Sequence, residues 1–255
     1  MSEPRFFCAD LAPGLVQLDQ DQAKHALHSL RLRPGESVTL FDGCGRVAHG
    51  VLEDEPPAGR PKHRPTTATV RIERVLAVPA PSRTLTLMTA ACKGDRLDWL
   101  VEKCTELDVT RIILTEFERS VVRPGKRRVV KLRRRAVEAC KQCRRVWLPK
   151  IESGVPLAWA LGRVEHAALL VAHPDREAPL IGHWLHSHAA SNADLAVVVG
   201  PAGGISDSEL EMLASADAEP VRVADNILRV ETAAVSIAAN WAAHALPAEH
   251  HPTIA

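Results

Sequence analysis

Residues 195–233 read LAVVVGPAGGISDSELEMLASADAEPVRVADNILRVETA. Leu195–Val199 is an unbroken apolar run, which predicts a short strand buried on both faces. It leads directly into Gly200, Pro201, Ala202, Gly203 and Gly204. Ser206 then stands three residues before Glu209, the spacing of a capping box at a helix start. A second short strand is expected near Pro220–Val223, followed by a loop, Asp225–Arg229, and a small-residue helix over Thr232–Ala245. Strand, glycine loop, helix, strand, loop, helix describes a ligand site at the carboxyl ends of parallel strands. A Gly-Gly pair is most often only a tight turn. Here three glycines precede one helix start, where backbone N–H groups can approach a ligand closely, and the second loop brings Arg229 and Glu231 beside an otherwise apolar segment. The spacing is neither G-x-G-x-x-G nor a P-loop, which excludes those two nucleotide fingerprints.

Working outward, strands are expected at Thr84–Ala91, Arg111–Phe117 and Ala167–His173. With the two strands above they alternate with helical segments, the pattern of an α/β parallel sheet. Asp95 is placed to cap a helix. Leu97, Leu100, Val101, Cys104 and Leu107 recur in it at three- and four-residue intervals and define its buried face.

The formal charge of the 255 residues is only +1. That near balance hides Arg119–Lys150, which holds 13 Lys or Arg and one acidic residue, Glu138. A solvated helix face explains most short charge runs, but so lopsided a run points to phosphate backbone. Arg133–Val146 is the expected helix within it.

Residues 1–80 read differently. Arg5–Phe7 opens them, Lys24–Leu32 suggests a short helix or turn, and Ser37–Phe41 and Arg46–Leu52 flank the hairpin signal Asp42-Gly43. Glu55–Pro65 is a loop by composition, and Thr66–Val78 is β-branched. Short strands with tight turns predict a small barrel. Pro79–Arg83 reads as a linker, so the expected division is residues 1–80 and 81–255.

No apolar run reaches membrane-spanning length and no signal segment opens the chain, so a cytoplasmic protein is expected, with no membrane partner. The six cysteines are then expected to be reduced. Cys140-x-x-Cys143 lacks the second ligand pair that zinc needs. His183, His186 and His188 have no carboxylate or cysteine nearby in sequence. No metal site is expected.

GPAGGIS-x-x-E followed by NILRVETA resembles the paired signature of the SPOUT RNA methyltransferases, and more narrowly the bacterial small-subunit ribosomal RNA uridine-N3 methyltransferases (the RsmE family). Three further segments resemble that family in the same order. They are His25, Leu30-Arg31, Gly35 and FDGCG at 41–45; KGDRLDWLVEKCTELDV at 93–109, with Asp108 where glycine is usual; and EACKQCRRVWLPKI at 138–151, with Gln142, Arg145 and Pro149 matching. The family usually has glutamate at the position of Ala202 and glycine at that of Ala224.

The resemblance implies a trefoil-knotted SPOUT parallel-sheet domain behind a PUA-like, RNA-binding β-barrel. It implies a homodimer that transfers a methyl group from S-adenosylmethionine to N3 of a specific uridine in 16S rRNA of the assembled small subunit. It puts Arg229 and Glu231 at the chemistry. The cofactor would lie against Val199, Gly200, Pro201, Gly203, Gly204, Ile205, Val223, Ile227, Leu228, Arg229, Thr232 and Ala233. RNA would meet Arg5, His25, Arg31, Arg33, Lys93, Arg119, Arg123, Arg127, Arg128, Gln142 and Arg145. Glu231 is either the base that takes the uracil proton or a residue that holds its loop. Two other readings stay open: a SPOUT enzyme acting on another RNA such as tRNA, and a ribosome-binding assembly factor with a degenerate site.

Overall fold

The computed structural model describes residues 3–53, 67–164, 167–188 and 194–244. The chain divides into two compact units, Met1–Ala80 with Cys140–Leu148, and Pro81–Ala139 with Pro149–Ala255.

The first unit carries β1 (Arg5–Phe7), β2 (Gly14–Gln17), α1 (Gln20–Lys24), β3 (Ser37–Phe41), β4 (Arg46–Leu52), β5 (Thr69–Ile72) and β6 (Leu76–Ala77). A π-helical turn, His25–Ser29, continues α1. The sheet order is β1-β3-β4-β5-β2, with β6 also on β4. Only the β1–β3 pair is parallel. Asp42 builds the hairpin expected at Asp42-Gly43. Its carboxylate accepts the Cys44 and Arg46 backbone N–H groups at 2.7 and 2.9 Å and pairs with Arg46 Nε at 2.6 Å. Phe6, Val38, Leu40, Ala48, Val70 and Ile72 form the core with Ala23 and Ala26 of the helical turn. The single strand expected over Thr66–Val78 is two strands, β5 and β6, separated at residues 73–75. The expected loop Glu55–Pro65 and the last residue of the helix read as Thr232–Ala245 fall outside the described residues.

The second unit begins with β7 (Leu85–Thr89), α2 (Asp95–Glu106), β8 (Arg111–Glu116), α3 (Lys126–Cys143), β9 (Lys150–Pro156) and α4 (Leu157–Leu161). The last turn of α3 groups with the first unit. There follow β10 (Ala168–Ala172), α5 (Ile181–Ser187), β11 (Leu195–Val199), α6 (Asp207–Ser215), β12 (Glu219–Val221) and α7 (Val230–His244). The sheet order is β12-β10-β11-β7-β8-β9, and every pair is parallel. All five residues of β11 and all five of β7 are buried, as expected of central strands covered on both faces. The alanine-rich α7 buries Ala234, Ile237, Ala238 and Trp241 and packs on α2, β7 and β11.

One local reading changes. Asp95 does not cap α2; Gly94, at φ +67°, is the cap residue and Asp95 opens the first turn, where its charge favours the helix dipole. Asp108, at the position where glycine is usual, adopts φ +59°, a left-handed conformation that aspartate tolerates better than most residues.

Candidate active site

The loops that leave five parallel strands converge on one cleft of about 780 Å³. Ala90–Lys93 follow β7, Arg119–Val122 follow β8, and Ala172–Pro174 end β10. Val199–Ile205 follow β11, and Arg222–Ala224 with Asn226–Glu231 connect β12 to α7. A parallel sheet sends all its carboxyl ends to one edge, so a single cleft is the geometric consequence.

The glycine loop is held from inside and from outside. Gly204 sits at φ +80° and donates its N–H to the Pro201 carbonyl at 2.8 Å. A Cβ on Gly200 would lie 2.5 Å from Ile205 Cγ1, so the Ile205 side chain occupies the space that glycine leaves. Arg119 Nη1 donates to the Gly203 carbonyl at 3.1 Å. The Ser206–Glu209 capping box is present, and Glu209 does more than the spacing suggests. One carboxylate oxygen accepts the Ser206 N–H at 2.9 Å, while the other accepts the Glu118 N–H at 2.7 Å. A buried carboxylate thereby ties the loop after β8 to the glycine loop after β11.

Glu231 is buried in the first turn of α7, beside Cys92 and Arg96. Arg96 Nη1 lies 3.3 Å from Glu231 Oε1. Burial by itself would push the Glu231 carboxyl up. Its own backbone N–H, the Cys92 thiol and the Arg96 guanidinium outweigh that and hold it below the usual carboxylate range. Burial first, and then the Glu231 charge, push the Cys92 thiol up to about 12, so it stays protonated as a donor.

Eleven of the residues expected at the cofactor line the cleft: Val199, Gly200, Pro201, Gly203, Gly204, Ile205, Val223, Ile227, Leu228, Arg229 and Ala233. Thr232 does not. Glu231 lines it, as do Lys93 and Arg119 from the RNA set. Arg123 and Arg127 are exposed after β8 and on α3. Arg128 is turned inward, 3.2 Å from Asp98 and 2.9 Å from the Gly94 carbonyl. Lys131 and Arg135 likewise meet Asp98 and Glu102 of α2 at 3.1 and 3.4 Å. The basic run is therefore partly neutralised by a helix some thirty residues earlier. In the first unit Arg31, Arg33 and Gln142 are exposed, Arg5 and Arg145 are half-buried, and the His25 ring packs edge-on to Phe6 at 6.0 Å.

Cys92, Arg96 and the Ser120–Val122 segment are cleft residues that the sequence reading missed. The only signal for them is their position just past a parallel strand. Among the described residues no cluster of three or more His, Cys, Asp or Glu is arranged to hold a metal ion. His188 instead stacks on Trp184 with ring centroids 4.0 Å apart. No described helix is long and apolar enough to cross a membrane.

Comparison with known proteins agrees with this geometry. Residues 79–242 match the family model of an RNA methyltransferase domain, and residues 18–57 that of an RNA methyltransferase PUA domain. A Mycobacterium bovis protein named Ribosomal RNA small subunit methyltransferase E is 33% identical over 89% of this chain and 87% of its own length. A Rickettsia conorii protein of the same name is 30% identical over 87% and 86%. Among solved structures, a Ribosomal RNA small subunit methyltransferase E from Neisseria gonorrhoeae bound to S-adenosyl methionine superimposes with TM-score 0.79. It is 28% identical, with 94% of this chain and 97% of that one covered. A putative methyltransferase from Legionella pneumophila in complex with SAM gives 0.81 at 26% identity, over 95% and 98%. This chain belongs to the RNA methyltransferase family, with a PUA domain ahead of a SPOUT-like parallel-sheet domain, alongside the proteins named ribosomal RNA small subunit methyltransferase E.

Proposed function

We propose that the protein transfers a methyl group from S-adenosylmethionine to N3 of a uridine in 16S rRNA of the small ribosomal subunit, in the cytoplasm and as a homodimer. The observation that carries this reading is the convergence of the glycine loop and the Asn226–Glu231 loop on one cleft whose rim holds Lys93, Arg96, Arg119 and Arg229. The cleft fits the cofactor: its volume lies in the usual range for small-molecule sites. Its wall combines apolar side chains (Val199, Ile205, Leu228, Ala233) with glycine backbone that offers N–H and C=O groups to an adenosine. Val199–Ile205 and Val223–Ala233 are the segments that would hold it. S-adenosylmethionine, when bound, supplies a methyl group already activated on a sulfonium sulfur.

The chain's own task is alignment and charge. Holding the uracil nitrogen in line with the methyl donor supplies much of the acceleration. Uracil N3 must shed its proton, and the Arg229 guanidinium stabilises the negative charge that develops on the ring. N3 lies on the Watson–Crick edge, so the uridine enters unpaired or extruded. Glu231 is the positioning residue of the two alternatives. A carboxylate held below its ordinary range is a poor proton acceptor, and its partners are Arg96 and Cys92. The PUA domain, with Arg31 and Arg33 exposed, and the cations Arg123 and Arg127 meet the RNA backbone.

Calorimetry with S-adenosylmethionine, followed by methyl transfer to small subunits lacking the modification, tests the proposal. Binding with methyl appearing on uridine N3 is the expected result. Binding without transfer to subunits would move the target to another RNA, and no binding would overturn the enzyme.

A further inference from the structure

The chain leaves β8 through a tight turn. The Ser120 N–H donates to the Phe117 carbonyl at 3.0 Å, and the Ser120 hydroxyl oxygen accepts the Phe117 N–H at 3.0 Å. These two bonds close residues 117–120 from both sides. Phe117 is buried, and the Glu118 N–H is held by the Glu209 carboxylate at 2.7 Å. Arg119 is the third residue of that turn, so its side chain starts from a backbone fixed by its neighbours on either side.

The side chain then runs along the glycine loop. A Cβ on Gly203 would lie 3.3 Å from Arg119 Cβ, and one on Gly204 would lie 3.6 Å from Arg119 Nη1. At its far end Nη1 donates to the Gly203 carbonyl at 3.1 Å. The Gly204 N–H belongs to the same peptide unit as that carbonyl, and it donates to the Pro201 carbonyl at 2.8 Å. One peptide plane is therefore held at both polar ends, by Arg119 on the oxygen and by the turn on the nitrogen. It joins two glycines, the residue type that opposes rotation of a peptide least. Among the described residues no carboxylate forms an ion pair with Arg119, so nothing competes with the loop for its guanidinium.

We propose that Arg119 is a positioning residue for the cofactor: it latches the Gly203–Gly204 peptide, so that the glycine loop is formed before S-adenosylmethionine arrives. The identity of the ligand rests on the methyltransferase reading above; the latch on the loop does not. Arg119 is thereby assigned to the cofactor side of the cleft, in place of the RNA contact that the resemblance implies. A loop already in its binding shape loses less freedom when the ligand enters, and the saving is expressed as affinity.

The test compares the full-length protein with Arg119→Met, which keeps an unbranched stem and removes the donors. Calorimetry should show S-adenosylmethionine binding about tenfold more weakly to the variant, with Arg119→Lys between the two. In the free protein, hydrogen exchange should show the Gly204 amide opening about tenfold more often. The amides of β11 should be unchanged, and thermal unfolding should move by less than about 2 °C. Affinity for unmodified small ribosomal subunits should keep its dependence on salt.

Equal cofactor affinity in the two proteins overturns the latch; a salt slope lower by about one would then make Arg119 an RNA contact. Weaker cofactor binding with unchanged Gly204 exchange also overturns it, and makes Arg119 a direct ligand of the cofactor. Faster exchange in β11 to the same degree, with early thermal unfolding, overturns it in favour of a merely structural residue. If the wild type binds no S-adenosylmethionine, the methyltransferase reading fails, and Gly204 exchange by itself decides whether the latch exists.

Discussion

Arg96 and Arg5 illustrate two ways of placing a guanidinium. Arg96 projects from α2 with half its side chain in water and meets the buried carboxylate of Glu231. Arg5 lies against an aromatic ring, half-buried, with two nitrogens unpartnered. The first arrangement is complete in the free protein: the charge that burial penalises is answered inside the fold. The second leaves two buried nitrogens without a hydrogen-bond partner, a cost that burial imposes and the fold does not answer. The helix α3 shows both within one basic run. Arg128, Lys131 and Arg135 are answered by Asp98 and Glu102 of α2, while Arg127 and Arg144 face solvent. Counting cations therefore overstates the charge a protein offers to RNA, and the pairing decides which of them remain available.

If the cleft is the catalytic side of this contrast, the largest effect belongs to Arg229→Ala. Loss of the group facing the developing uracil charge should lower kcat for methyl transfer by about 10²–10³, read by radiolabelled methyl incorporation into subunits. A change of less than threefold would remove Arg229 from the chemistry.

Glu209→Ala attacks the internal completeness of the same region. It removes the carboxylate half of the capping box and strands the Ser206 and Glu118 N–H groups, so urea unfolding should report a loss of about 2–3 kcal/mol. S-adenosylmethionine affinity should fall with it, since the tie between the two loops goes as well.

Glu231→Gln distinguishes positioning from proton transfer. A general base would cost about 10²–10⁴ in rate; a residue that orients Arg96 should cost about tenfold and leave the shape of the pH–rate profile unchanged. Stability provides a second readout. The carboxyl is more acidic folded than unfolded, so the unfolded state binds more protons and stability rises with pH below the ordinary carboxyl value. The contribution is whole at neutral pH, declines as the pH falls below that ordinary value, and is gone beneath the depressed folded one. The gap between wild type and Glu231→Gln should accordingly narrow on acidification.

Arg96→Ala should have the smallest effect on folding, below about 1 kcal/mol, because the lost partner is half in water. It sharpens the comparison by its second consequence: Glu231, left with burial and fewer donors, should titrate higher than in the wild type, measurable by carbon-detected NMR of the carboxyl.

The elements legible in the sequence share a physical trait. β11, β3 and β4 match their expected limits at every residue, because each pairs on both sides and shows its burial as an apolar run or an alternation. The capping box at Ser206–Glu209 was legible because both partners lie within one turn. The strands not legible in the sequence, β1, β2 and β9, lie at the edges of their sheets. Gly14–Gln17 and Lys150–Pro156 are mostly exposed or half-buried, so backbone pairing with a distant strand defines them and side-chain pattern does not. α3 was expected at 133–146 and occupies Lys126–Cys143, since its basic face hides the apolar stripe and its end is set by the left-handed backbone of Arg144.

By itself the sequence determined the alternation of strands and helices, the glycine loop with its cap and the resemblance to SPOUT enzymes, because these depend on neighbours within a few residues or on motif order. Only the tertiary structure decided which charges are spent. Asp98 answers Arg128 across thirty residues, Arg96 answers Glu231 across 135, and Glu209 joins a backbone 91 residues away. Such pairings follow from the parallel sheet bringing its loops to one edge, and a Coulomb interaction depends on distance in space, with no trace in the spacing of the residues along the chain.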